Sequence, residues 1–180
     1  IDKFFAIDFE NILRCFSIKD GVEVWNIKTE NSLIRSQKKL SMVIVSDVIY
    51  FNNSIGDISA VDIKKGELLW QLPTQSSLIY ESAFSLETSD IITDSASLFF
   101  SNNKNQLFSI DLGSGSFNWE NKVNSNLRPT LVGNFLFTIS IEGYFCFNLI
   151  RFPSFLASPI TLQPFLSKNL VRGSPRKPDA

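Results

Sequence analysis

Three tryptophans recur in step along the chain, each four places after a glycine: Gly21 and Trp25, Gly66 and Trp70, Gly115 and Trp119. The indoles are separated by 70 − 25 = 45 and 119 − 70 = 49 residues. A period of this length marks one supersecondary unit that cannot bury its apolar side alone and must stack on its neighbours. A helical unit of similar size requires sustained 3.6-residue spacing, and no such stretch persists here.

The segments between turns are short and rich in Ile, Val, Phe, Leu and Thr, which favours strands. Residues Val43 to Phe51 read as one strand, Asn52 to Asp57 as a turn and Ile58 to Ile63 as the returning strand. A second copy runs Ala96 to Phe100, turns through Ser101 to Asn105 and returns over Gln106 to Leu112. A third runs Asn134 to Ser140, turns at Glu142 and Gly143, and returns through Tyr144 to Ile150. The turn before each indole has its own mechanics: Asp62 or Asp111 accepts hydrogen bonds from its own turn, while Gly66 or Gly115 supplies positive φ. The expectation is an all-β chain whose four-stranded sheets stack radially.

Functional chemistry is sparse. The chain has no His, which removes the commonest general base and zinc ligand. Seventeen basic residues against 18 acidic ones give a net charge of −1, so no global field draws nucleic acid or an anionic membrane. Cys15 and Cys146 form no CxxC pair and read as buried free thiols at equivalent places in their repeats, where Ala60 and Ser109 stand in the others. Asn52, Asn53, Asp57, Asn102, Asn103 and Asn105 cluster in hairpin turns, where tolerance of positive φ explains them better than calcium ligation does. No apolar run approaches the ~18 residues of a helical membrane span, so no transmembrane segment is expected, and no export signal is legible from Ile1 onward.

The stretch Gly56-Asp57-Ile58-Ser59-Ala60-Val61-Asp62-Ile63-Lys64-Lys65-Gly66-Glu67-Leu68-Leu69-Trp70 resembles the pyrroloquinoline-quinone-like repeat of the quinoprotein-dehydrogenase-like propeller family. The copy ending at Trp119 is nearly as good. The copy ending at Trp25 has Ser17 in place of Asp and Asn11 in place of the hairpin Gly, and a final copy places Asn148 at the Asp position before departing from the pattern at residue 151. The resemblance implies a partial β-propeller of about three to four four-stranded antiparallel blades over residues 1–150, with Trp25, Trp70 and Trp119 docked between neighbouring sheets. A closed propeller typically needs ~4 to 8 blades, so remaining blades or another copy are expected to complete the ring.

Within that family the chain is most similar to the propeller lipoproteins of the outer-membrane barrel assembly machinery. This implies a non-catalytic scaffold in the bacterial periplasm, associated with the outer membrane, whose partners are assembly components and unfolded outer-membrane proteins. No catalytic, cofactor-binding or metal-binding residue is expected. Trp25, Trp70, Trp119, Gly21, Gly66, Gly115, Asp62 and Asp111 are structural repeat positions. The alternatives are a fragment of a quinone-dependent dehydrogenase and the sensor propeller of a signalling protein. Residues 151–180 hold five of the seven prolines and five basic residues against one acidic, and read as a tail outside the blades.

Overall fold

The computed structural model describes residues 2–8, 10–29, 40–74 and 86–150. The expected tail, 151–180, lies outside the described residues. Among the described residues, fourteen strands form four antiparallel sheets. The first contains β1 (Lys3–Ile7), β2 (Ile12–Ser17) and β3 (Glu23–Lys28), and the second β4 (Met42–Val45), β5 (Val48–Asn52), β6 (Ile58–Asp62) and β7 (Leu68–Leu72). The third is built from β8 (Ile92–Thr93), β9 (Ser97–Asn102), β10 (Gln106–Asp111) and β11 (Phe117–Asn121), and the fourth from β12 (Thr130–Val132), β13 (Phe135–Ile139) and β14 (Phe145–Leu149). Within every sheet the strands neighbour one another in chain order, as in a meander. Consecutive meanders with similar internal register make an incomplete β-propeller.

Alternation along the strands gives each inner sheet two apolar faces. One face of the second sheet (Ile49, Phe51, Val61) packs on Leu13 and Ile27 of the first. The other (Tyr50, Ile58, Ala60) packs on Leu98, Phe100, Phe108 and Ile110 of the third. The far side of the third sheet (Phe99, Leu107, Trp119) meets Leu136, Cys146 and Ile150. Polar bonds tie the hairpin ends together across the same junctions. The Ser54 N–H donates to Asn11 Oδ1 at 2.8 Å, Asn52 Nδ2 to Thr88 Oγ1 at 2.8 Å, and the Ser125 N–H to the Asn102 carbonyl at 3.2 Å.

Three details correct the sequence reading. The run from Val43 to Phe51 is two strands, because Ser46 takes φ 55° and turns the chain between β4 and β5. Of the turn asparagines singled out, only Asn105 has positive φ; it shares its place in the repeat with Asn11, Gly56 and Gly143, which have positive φ as well. Asn52, Asn53 and Asn102 are buried instead, and their side chains bolt loop backbone: Asn53 Oδ1 accepts from the N–H groups of Ile55 and Asp57, and Asn102 Oδ1 from that of Lys104. Finally, Leu149 pairs with Phe135 as Asp62 pairs with Val48 and Asp111 with Ser97, so Leu149 and not Asn148 holds the Asp position. Phe147, not Cys146, therefore shares the place of Cys15, Ala60 and Ser109. Both cysteines are nonetheless free and buried, and burial raises each thiol above its ordinary pKa.

Candidate interaction surface

The junctions between sheets are built from the repeat residues. Trp25 pairs with Cys15, Trp70 with Ala60 and Trp119 with Ser109, small residues that leave room for the rings. In each sheet the register slips immediately after that small residue, so the residue preceding the indole (Val24, Leu69 or Asn118) is extra. Such a bulge re-aims the side chain that follows it. An aromatic ring lies against each indole: Phe5 at 5.8 Å from Trp25, Tyr50 at 5.7 Å from Trp70 and Phe99 at 6.0 Å from Trp119, all tilted. These partners stand 25 − 5 = 20, 70 − 50 = 20 and 119 − 99 = 20 residues before their indoles, a signal present in the sequence that the glycine spacing alone does not reveal.

Every indole reaches into the next sheet. Trp25 Nε1 donates to the Ile63 carbonyl at 3.1 Å and Trp70 Nε1 to the Leu112 carbonyl at 3.1 Å, while Trp119 Nε1 lies 3.5 Å from the Ile150 carbonyl. The acceptors follow the Asp position directly. The glycine of that same turn forms the floor: a Cβ on Gly66 would stand 2.6 Å from the ring of Trp25, and one on Gly115 2.6 Å from that of Trp70. Glycine is thus required twice over at these positions, by close approach and by φ of +73° and +70°. Asp62 Oδ1 accepts from the N–H groups of Lys64 and Lys65, and Asp111 Oδ1 from those of Gly113 and Ser114. These donors hold both carboxyl groups below the usual carboxylate range.

Among the described residues no three His, Cys, Asp or Glu side chains are grouped to hold a metal ion. What the molecule does present is apolar surface at defined places. The last strands β3, β7 and β11 are sheet edges, and Val24, Leu68, Leu69 and Phe117 lie exposed along them. On the fourth sheet, Phe135, Phe137, Phe145 and Phe147 form a contiguous group of rings on the face turned away from the third. Phe135 and Phe145 are each 40% exposed, and a depression of about 370 Å³ opens beside Phe145 and Phe137, lined also by Leu127 and Ile139. A larger cavity of about 570 Å³ lies where β4, β8 and β12 converge, with Met42, Ile91, Thr93, Arg128 and Thr130 on its wall. Apolar patches of this kind are the usual mark of contact with other protein surface.

Residues 2–149 match the family model described as outer membrane protein assembly factor BamB. No curated protein matches the chain. Among solved structures, BamB from Moraxella catarrhalis superposes with a TM-score of 0.65 at 18% identity, over 86% of this chain and 47% of that one. The computationally designed Ika8 protein gives 0.61 at 12% identity, over 86% of this chain and 45% of its own. A europium-containing methanol dehydrogenase gives 0.53 at 11% identity, over 67% of this chain and 23% of the enzyme. At these identities the structural likenesses establish the fold alone. The chain spans about half the length of the first two structures.

Proposed function

Since the chain belongs to the family of the outer membrane protein assembly factor BamB, we propose that it is a non-catalytic propeller scaffold serving outer-membrane protein assembly in the bacterial periplasm. The observation that carries this reading is the family match over nearly every described residue, from 2 to 149. The geometry supplies a physical mode. Exposed apolar side chains on the edge strands β3, β7 and β11 offer contact points to extended segments of unfolded barrel proteins, with backbone pairing adding affinity. Partners in the assembly machinery would engage the same rim or the loops beside it.

A photo-crosslinking residue at position 69 or 117 tests the mode. A purified, unfolded outer-membrane barrel protein is expected to form adducts there, and the same protein in its folded state is expected to form none. Equal labelling of both states, or of neither, contradicts it. The distinction from a quinone-dependent dehydrogenase rests on calorimetry with pyrroloquinoline quinone and Ca²⁺: saturable binding of both overturns the scaffold reading.

A further inference from the structure

The two inner sheets end on a strand that the fourth sheet lacks among the described residues. β6 and β10 are each covered on their outer side by a further strand, β7 and β11. β14 holds the same place in its sheet, and β13 is its one neighbour among the described residues. Register fixes which of its backbone groups are left over. The Ile150 N–H donates to the Asn134 carbonyl at 2.9 Å, and the Tyr144 carbonyl accepts from the Ser140 N–H at 2.8 Å, so every second residue from Tyr144 to Ile150 turns its backbone groups to β13. Phe145, Phe147 and Leu149 turn theirs to the open edge, as Asp62 and Asp111 do where they donate to the carbonyls of Glu67 and Ser116.

This edge differs from the other last strands. The pairing of β3, β7 and β11 slips at a bulge, which twists the strand and interrupts its row of outward backbone groups. β14 pairs with β13 from Phe145 to Leu149 with no slip, so its outward row is continuous. The side chains differ as well. Phe147 stands where Cys15, Ala60 and Ser109 make room for an indole, so the tryptophan-bearing strand of a repeat has no seat here. Asn148 stands where Val61 and Ile110 stand, opposite Leu136 and only 5% exposed, and its Nδ2 has no hydrogen-bond partner among the described residues. A buried donor of this kind is costly unless something supplies an acceptor.

We infer that the edge of β14 accepts an extended strand from an unfolded membrane-barrel protein, one that alternates apolar and polar residues. Side chains directly opposite one another across a strand pair share a face. Residues opposite Phe145, Phe147 and Leu149 therefore fall on the phenylalanine face and are apolar. Those opposite Cys146 and Asn148 fall on the side of the third sheet, where a Thr, Ser or Asn supplies the acceptor that Asn148 Nδ2 lacks. Strands of membrane barrels alternate with this period of two. A partner helix has no free backbone groups to offer this edge, and a wholly apolar strand leaves Asn148 unanswered. The inference rests on the scaffold reading for the source of the strand, and it names the site where backbone pairing takes place.

The probe is a short acetylated, amidated peptide alternating Val and Thr, titrated into the full chain while amide resonances are followed by NMR. Saturable shifts and slowed hydrogen exchange are expected at the N–H groups of Phe145, Phe147 and Leu149. The same peptide N-methylated at every Val keeps its side chains and loses the donors that face β14, and is expected to bind at least about tenfold more weakly. Phe147→Pro removes the central outward N–H and leaves the groups that pair with β13, and a similar loss is expected. Equal binding of the methylated peptide overturns the inference, and so do shifts confined to β3, β7 and β11. It is overturned too if the three amides are already as protected in the free chain as those of Cys146 and Asn148, the edge then being filled by the chain itself or a second copy. If unfolded barrel protein is captured at position 69 or 117 while the peptide leaves β14 unmoved, this inference falls and the scaffold reading stands.

Discussion

The inner sheets and the end sheets are made from the same kinds of residue, yet they sit in different surroundings. The third sheet sandwiches Phe99, Phe100 and Phe108 between two neighbours and leaves them 0–1% exposed. The fourth carries an equally aromatic set, Phe135, Phe137, Phe145 and Phe147, but one face of it has no neighbour among the described residues. The first sheet repeats the situation at the other end with Phe4 and Phe16. Local sequence therefore sets how apolar a blade face is, and the adjoining sheet decides whether that face is core or contact surface. The free energy of burial is realised only where the second layer is present.

The largest expected difference lies between ring deletions in the two settings. Phe108→Ala is expected to cost about 3–5 kcal/mol of unfolding free energy, since the ring is fully enclosed and its loss leaves a cavity. Phe145→Ala, on the open face, is expected to cost about 1 kcal/mol or less in the same chain. Urea denaturation midpoints of the two variants check this. Equal losses would mean that the fourth sheet is covered as fully as the third.

The glycine turns sharpen the contrast at one atom. Gly115→Ala brings a methyl group to 2.6 Å from the Trp70 ring and adds left-handed backbone strain. Gly21→Ala adds the strain alone, about 1–2 kcal/mol. The collision at Gly115 is expected to add roughly 1–3 kcal/mol more. Thermal unfolding of both variants measures the gap, and its absence would remove Trp70 from its assigned seat.

Much of this was legible before any coordinates. The glycine-to-indole spacing fixed the repeat, and the Asp-to-Gly turn was readable because each residue type has one mechanical use there. The turn at Ser46 is not legible in sequence because Ser-Asp within an apolar run carries no strong turn signature. The last copy slid by one place, to Asn148 in place of Leu149, because no glycine or tryptophan follows to anchor the alignment. Turn asparagines suggest backbone conformation from sequence, yet most act through side-chain amides across loops, and which amide reaches which loop depends on tertiary contact. The open faces were invisible for the same reason: a strand's alternation says that one side is apolar, not what lies against it.

The smallest predicted effect concerns acid. The Asp111 carboxylate binds a proton more weakly in the folded chain than in the unfolded one, because the Ser114 and Gly113 N–H groups stabilise its charge. Its contribution is present above the ordinary Asp value of about 3.9 and is lost as pH falls through the depressed folded value. Asp111→Asn is expected to flatten the decline of melting temperature between neutral pH and strong acid. Ser17→Ala in the first sheet is expected to flatten it as well, because the Ser17 side chain is the main hydrogen-bond partner that holds the Asp20 carboxyl below its ordinary range.

Solvent hydrogen exchange of the indole N–H groups probes the stacking of sheets most directly. Each of the three N–H groups points at a carbonyl of another sheet, so all three are expected to exchange far more slowly than a free indole, with Trp119, at 3.5 Å, the least protected by its bond. Three indole protons exchanging at the rate of free tryptophan in the folded chain would contradict the face-to-face arrangement of blades.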